Sequence, residues 1–332
     1  MYTFKMKFSE IMGQQRVVNA LQRAVSTQRV AHAYLFEGVC GSGRRSTAMA
    51  LVGSLFCQNP LAGDACGICN QCLKLANGNH PDLHLLSPLP DKRDINIEQV
   101  RTLQQALALR PFEAPRKACL IEPAERMGLN AANALLKTLE EPSGNTIIIL
   151  ISSKSDLLLS TIRSRCQELR FSPLDDDTII TLLQKQGVTT ELANNIAPLA
   201  DGSIEKATEI LSSENIAQRD KLLSTLAMLD KGKIATVFDS AENIAADRET
   251  TTARLEIIIS FIRDMLLMTN GFKDIANRQL YNELTTEIVR FKPESLMTAL
   301  ELALESLDAI RKNANPKLTI ERFLLHYAEL RS

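Results

Sequence analysis

The sequence lacks a surplus of charge of either sign: 38 Lys and Arg stand against 39 Asp and Glu over 332 residues, a formal net charge of -1. The charged residues are spread along the chain rather than blocked, which argues against a basic nucleic-acid coat and against an acidic tail. Any contact with DNA must therefore be local. Long hydrophobic runs are also missing, since none approaches the roughly 18 to 20 apolar residues that a membrane span needs. Residues 1–8 carry two lysines and no apolar core of a signal peptide. A soluble, cytoplasmic chain with no membrane partner is the expectation. There is no internal repeat and no low-complexity tract.

With 45% hydrophobic residues, this length suits two or three domains, each with its own core. The first half alternates strand-like apolar runs with helical patterns, as in a parallel sheet covered by helices. Ala33 to Phe36, Ala118 to Ile121 and Thr146 to Ile151 are the clearest strands. The last is a continuous β-branched run without alternation, which predicts a central strand buried on both faces. A helix from about Asn130 to Glu141 precedes it, ended by Pro142, Ser143 and Gly144. Beyond Phe171 nearly everything reads as helix: Leu255, Ile258, Ile259, Ile262 and Leu266 keep helical spacing, as do Leu296, Leu300, Leu304 and Leu307. Pro173 marks a first linker. A second boundary falls near Leu211 to Asn215, where Ser212, Ser213 and Asn215 interrupt the pattern.

Gly38-Val39-Cys40-Gly41-Ser42-Gly43-Arg44-Arg45 follows a strand and precedes a helix starting near Ser46, the setting of a phosphate-binding loop. Its glycines let backbone N–H groups curl around phosphate oxygens at a helix N-terminus. A hydrolysing loop then needs a lysine that reaches the β and γ phosphates and a Ser or Thr hydroxyl that holds magnesium. Here those positions are Arg44 and Arg45. Arginine cannot ligate a cation, although its planar guanidinium pairs with phosphate. Gly38, Gly41, Gly43 and Arg44 thus form a degenerate phosphate loop, with ATP binding left open and metal-assisted hydrolysis unsupported. The bland alternative is a Gly-rich turn that never bound nucleotide. Downstream, Ala118 to Ile121 runs into Glu122-Pro123-Ala124-Glu125, where a hydrolytic site would place an Asp for metal and a Glu for water. Glu122 keeps a carboxylate, but Pro123 cannot act as a base. Departures at Arg45 and Pro123 strike two separate catalytic roles and favour an inactivated site.

Seven cysteines are an odd number, and four of them crowd together as Cys57, Cys66, Cys69 and Cys72, in the pattern C-x8-C-x2-C-x2-C. In a long chain without a leader this points to metal rather than disulfides. Four thiolates so spaced suit a closed tetrahedral zinc site, whose full coordination makes its role structural. The alternative is a set of reduced thiols exposed to oxidation. His80, in His80-Pro81-Asp82, ranks below Cys57 as fourth ligand. Ser164-Arg165-Cys166 follows a helical stretch from Leu157 to Arg163; by composition alone Arg163 and Arg165 are ordinary surface arginines.

Taken together, Phe8 to Gln14 (Phe-Ser-Glu-Ile-Met-Gly-Gln), Ala31 to Phe36 (Ala-His-Ala-Tyr-Leu-Phe), the four-cysteine insert, Asn133 to Pro142 (Asn-Ala-Leu-Leu-Lys-Thr-Leu-Glu-Glu-Pro) and Ser164-Arg165-Cys166 resemble a bacterial clamp-loader subunit of the AAA+ class. The tail Asn313 to Leu318 resembles that family's last helical domain, so the likeness covers essentially the whole chain. Within the family, the degenerate nucleotide motifs resemble the non-hydrolysing subunit type rather than the gamma/tau ATPases. The resemblance implies an α/β AAA+ domain over 1–171 with a zinc module at about 57–72, a small helical lid domain over 172–212 and an all-α collar domain over 213–332. It further implies a hetero-pentameric ring with gamma/tau and delta subunits, a sliding clamp and primed DNA as partners, and Arg165 as an arginine finger pointing into a neighbour's ATP site. ATPase relatives carry a lid arginine in Gly-Ser-x-Arg; here Gly202-Ser203-Ile204-Glu205 has an acid, which would repel phosphates. The rival is an active gamma/tau-type ATPase, against which Arg44, Arg45, Pro123 and Glu205 all read. A stand-alone zinc-containing DNA-binding protein would need a basic stripe that a nearly neutral chain does not show; DNA contacts through helix N-termini within a ring stay open.

Overall fold

A computed structural model describes residues 7–142, 145–211, 213–229 and 232–331. Five strands form one parallel sheet: β1 (Ala33–Glu37), β2 (Leu83–Leu86), β3 (Lys117–Ile121), β4 (Thr146–Ser152) and β5 (Gln167–Arg170), in the order β2-β3-β4-β1-β5. The first six helices are α1 (Gln15–Ser26), α2 (Arg44–Phe56), α3 (Asn70–Ala76), α4 (Ile97–Ala108), α5 (Leu129–Glu140) and the single turn α6 (Ser160–Arg163). The remainder is helical: α7 (Asp176–Lys185), α8 (Thr190–Ile196), α9 (Ile204–Ile210), α10 (Ser213–Ala227), α11 (Ile234–Ile244), α12 (Arg248–Thr269), α13 (Tyr281–Ile288), α14 (Pro293–Arg311) and α15 (Pro316–Leu330). Among the described residues no helix is long and apolar enough to cross a membrane.

The three expected strands form, and β4 is the buried centre that its unbroken apolar run predicts. Ile147, Ile149 and Ile151 join Tyr34, Phe36 and Leu51 on one face, while Ile148 and Leu150 join Ala33, Leu35 and Leu135 on the other. Because successive side chains alternate across a pleated strand, only an uninterrupted run can feed two cores at once. β2 and β5 escaped the sequence reading. Both are four-residue edge strands: β2, Leu83-His84-Leu85-Leu86, is too short for its apolar residues to tell strand from helix, and β5 has only partly covered or exposed side chains.

The chain splits into two compact units, Met1–Ile179 with Gly202–Glu205, and Ile180–Asp201 with Lys206–Ser332. In the second unit Leu255, Ile258, Ile262, Leu296 and Leu307 enter a core completed by Ile320, Phe323 and Tyr327. Leu304 keeps the helical spacing but is 47% exposed, since it sits at the margin of the buried stripe of α14. The helical pattern breaks where expected, α9 ending at Ile210 and α10 beginning at Ser213, with Ser213 and Asn215 in the first turn of α10. The break residues Ser143 and Gly144, the boundary residue Ser212 and the start 1–6 lie outside the described residues.

Candidate functional site

β1 delivers the chain into the Gly38–Arg45 loop, and α2 carries it away. Gly43 forms the N-cap of α2 at φ 96°, a left-handed conformation that favours glycine, and no side chain caps the helix. Gln14 braces the loop from outside, its Nε2 donating to the carbonyls of Ser42 at 3.1 Å and Ser172 at 2.6 Å. The turn Gly202–Glu205 seats on the loop, with the Ile204 amide donating to the Gly41 carbonyl at 3.2 Å. A Cβ on Gly41, at φ 72°, would lie 2.4 Å from Ser203 Oγ and 2.7 Å from the Glu205 nitrogen, so only glycine permits this approach. The tertiary fold thus brings the Gly-Ser-Ile-Glu turn and the Gly38–Arg45 loop together.

The two positions that would share a magnesium ion meet directly. Arg45 Nη1 lies 2.8 Å from Glu122 Oε2 at the end of β3, both side chains being partly exposed. A guanidinium at this point places a tethered cation beside the carboxylate and offers no lone pair to a metal. Arg44, at the lysine position, is 5% exposed and folds back so that Nη2 contacts Cys40 Sγ at 3.5 Å. Glu125 is held by the amide and hydroxyl of Ser153, at 3.1 and 2.6 Å. Burial would raise its pKa, but those hydrogen bonds, with one from Ser152, outweigh burial and hold it below the usual carboxylate range.

Arg165 stands between α6 and β5. Its Nη2 lies 2.6 Å from Glu140 Oε1 at the end of α5, and Nη1 donates to the Thr161 carbonyl at 2.9 Å. Arg163 differs, being held by Glu168 at 3.1 Å and Asp156 at 3.4 Å. Arg163 is thus held by two acids, while Arg165 pairs with one half-exposed acid and with the Thr161 carbonyl. Sequence reasoning did not assign Glu140 a role; its place at the end of a quoted motif was the available signal.

The stretch from the end of α2 into α3 collects four sulfurs, from Cys57, Cys66 and Cys69 and from Cys72 within α3, that all lie within 4.8 Å of one another. Tetrahedral ligation with bonds of about 2.3 Å puts sulfurs about 3.8 Å apart, so a small contraction closes the set around an ion. The Cys66 amide donates to Cys57 Sγ at 3.2 Å and the Cys69 amide to Cys66 Sγ at 3.3 Å. Amide donors from Ile68 and Cys69 lower the Cys66 pKa to about 6, favouring the thiolate that binds metal. This donor set can hold a metal such as zinc. His80 is not part of it: Nδ1 accepts from the Asp82 amide at 3.1 Å, so Nε2 carries the proton and donates to Gln71 Oε1. The insert is anchored by residues the sequence reading passed over. Asp64 accepts from the amides of Phe8 at 2.8 Å and Ser9 at 3.1 Å, and Lys74 pairs with Glu113.

Residues 13–175 match the family model described as "DNA polymerase III, delta subunit", and residues 213–329 match "DNA polymerase III, delta subunit, C terminal". DNA polymerase III subunit delta' of Bacillus subtilis (strain 168) is 31% identical over 323 residues, which is 95% of this chain and 96% of that protein. The chain belongs to the DNA polymerase III delta-prime family. A second delta-prime subunit, from Pseudomonas aeruginosa, is 48% identical over 136 residues, 41% of this chain and 42% of that protein. DNA polymerase III subunit tau of Bacillus subtilis is 26% identical over 341 residues, 95% of this chain but 60% of that protein. Delta-prime membership thus fits better than the gamma/tau reading, in agreement with the altered Arg44, Arg45 and Pro123 positions.

Proposed function

We propose that this chain serves in a DNA polymerase III clamp loader as the delta-prime subunit, a member that does not itself hydrolyse ATP. In that role it joins gamma/tau and delta subunits in a hetero-pentamer that places the sliding clamp on primed DNA in the cytoplasm. The observation that carries the reading is the Arg45–Glu122 ion pair at 2.8 Å. A hydrolysing loop needs a hydroxyl and a carboxylate there to hold magnesium between nucleotide phosphates and protein. An arginine on that carboxylate removes one ligand and neutralises the other, and Pro123 leaves no base to position water. Gly38, Gly41 and Gly43 keep the loop's shape without its chemistry.

Residues 1–171 form the AAA+ domain, 172–212 the lid and 213–332 the collar that holds the ring. Cys57, Cys66, Cys69 and Cys72 bind one structural zinc. Arg165 acts in trans on the ATP site of an adjacent gamma/tau subunit. Its half-exposed pairing with Glu140 supports this, because an exposed ion pair is worth at most about 1 kcal/mol and yields readily to a phosphoryl charge. A guanidinium on a transferring phosphoryl group contributes roughly 10³ to 10⁵ in rate in single-site nucleotidases; a ring with several fingers loses less when one is removed.

The test compares reconstituted rings of equal assembly by gel filtration. Arg165→Ala is expected to leave zinc content and ring formation intact while lowering clamp- and DNA-stimulated ATP turnover. Equal turnover and equal clamp loading by mutant and wild-type rings would reduce the subunit to an architectural role. ATP turnover by the isolated chain at the rate of a loader ATPase would overturn the non-hydrolysing assignment.

A further inference from the structure

Glu140 stands where a helix disfavours a carboxylate. It is the last residue of α5, and with Glu141 at the C-cap it brings two acids to the negative end of the helix dipole. Among the described residues its ion pair is with Arg165, Oε1 to Nη2 at 2.6 Å. The turn that carries it is fixed from the core side. Gln104 Nε2 donates to Thr138 Oγ1 at 2.8 Å, and His32 Nε2 donates to the carbonyl of Leu139 at 3.2 Å. Buried neighbours thus set the place of Glu140, while its own side chain is half exposed.

Arg165 is held in a complementary way. Its amide donates to the Ile162 carbonyl at 3.1 Å and Nη1 donates to the Thr161 carbonyl at 2.9 Å, so one edge of the guanidinium rests on α6. Nη2 turns to Glu140. Arg163 is exposed to a similar degree, 31% against 35%, but it is satisfied by two acids, Asp156 and Glu168. Arg165 has one acid, in a pair half open to water, where ion pairs are weak and exchange readily. A guanidinium keeps N–H donors beyond the two used here, so left bare it would collect any anion that reached it, phosphodiesters of DNA included.

We infer that Glu140 is a positioning residue for Arg165: an internal anion that holds the guanidinium at the edge of α6 and yields it to a more highly charged phosphoryl group. This rests on reading Arg165 as acting in trans on a neighbour's nucleotide. In the resting chain the pair is electrically neutral. On engagement, phosphoryl oxygens replace Glu140 Oε1 while the Thr161 carbonyl keeps the other edge of the fork seated. A phosphodiester carries no more charge than the carboxylate it would displace, whereas the terminal phosphate of a nucleotide does. Glu140 therefore sets a threshold that favours the nucleotide over the DNA backbone.

The first test needs the chain alone. Phenylglyoxal adds across the two terminal nitrogens of an arginine, and a carboxylate seated on one of them competes with it. By peptide mass spectrometry Arg165 should be labelled about two- to fivefold faster in Glu140→Gln than in wild type, the range of an exposed ion pair, with Arg163 labelling unchanged. The difference should close at roughly 1 M salt, where charges are screened within about 3 Å. The second test uses the reconstituted ring at limiting ATP. Glu140→Gln should raise turnover, and should do nothing in a ring that already carries Arg165→Ala, a dependence that a merely structural role would not produce. Glu140→Asp, which keeps the charge, should return labelling and turnover toward wild type. Unchanged Arg165 labelling, ring turnover that Glu140→Gln lowers or leaves unchanged while Arg165→Ala lowers it, or an equal effect of Glu140→Gln in the Arg165→Ala ring would overturn the inference. If Arg165→Ala by itself leaves turnover unchanged, the in-trans reading fails instead, and the labelling still judges the hold.

Discussion

Asp82→Asn should be the most informative single change in the α/β unit. Asp82 is 1% exposed and accepts three backbone hydrogen bonds: from Phe112 at 2.7 Å on Oδ1, and from Glu113 at 2.7 Å and Ala114 at 2.8 Å on Oδ2. Asparagine has nearly the same shape but replaces one oxygen by an NH₂ group that faces a donor. Even in the better orientation it strands one part-buried amide, at about 1–3 kcal/mol, and downgrades two charge-assisted bonds to neutral ones, for a total of about 2–4 kcal/mol. At about 2–4 °C per kcal/mol for a unit of this size, the middle of both ranges is a fall of about 9 °C in its melting temperature.

The pH dependence gives a second check on the same residue. Burial alone would raise the Asp82 pKa, but the three amides outweigh it and hold the folded-state value below the ordinary one. A depressed carboxylate pKa contributes stability above the unfolded-state value of about 3.9 and loses it as pH falls through the folded-state value. The gap between wild type and Asp82→Asn should therefore be full at pH 6 and shrink toward pH 3, as measured by scanning calorimetry across that range. The segment that Asp82 holds carries Glu113, the partner of Lys74 on α3, so the variant should also release metal faster to a chromophoric chelator. A gap below about 2 °C at pH 6, or one that stays constant down to pH 3, would refute the reasoning.

Protein purified without chelator should contain one zinc per chain by elemental analysis; a structural zinc contributes on the order of 10 kcal/mol, so its removal should unfold the insert, seen as new proteolytic sites between Cys57 and Cys72. Arg45→Thr should restore a metal-binding hydroxyl without restoring ATP turnover, since Pro123 and Glu205 are unchanged, and turnover in that single variant would show that Arg45 alone silences the site. Arg165→Lys should recover only part of the ring's ATPase, because an ammonium keeps the charge but loses the planar fork; full recovery would remove the case for bidentate contact. Glu140→Gln should change the stability of the isolated chain by less than about 1 kcal/mol, given its half-exposed side chain, in a denaturant titration.

Much of this molecule could be read in one dimension. An unbroken run such as Ile147 to Ile151 has no polar position to turn toward water, so its burial at the sheet centre follows from composition. The cysteine spacing confines four sulfurs to a short stretch, and Arg44, Arg45 and Pro123 depart from a hydrolysing loop by residue type alone. Local signals of this kind survive because they depend on neighbours a few positions away. The rest depended on residues far apart in the chain. Arg45 and Glu122 meet across 77 positions, and the Gly41 loop meets the Gly202–Glu205 turn across more than twice that distance. Nothing local marks such partners, because any acid could have faced Arg45 and any turn could have covered Gly41. The edge strands β2 and β5 were hidden for a related reason, since pairing with a neighbouring strand defines them more than an apolar pattern does.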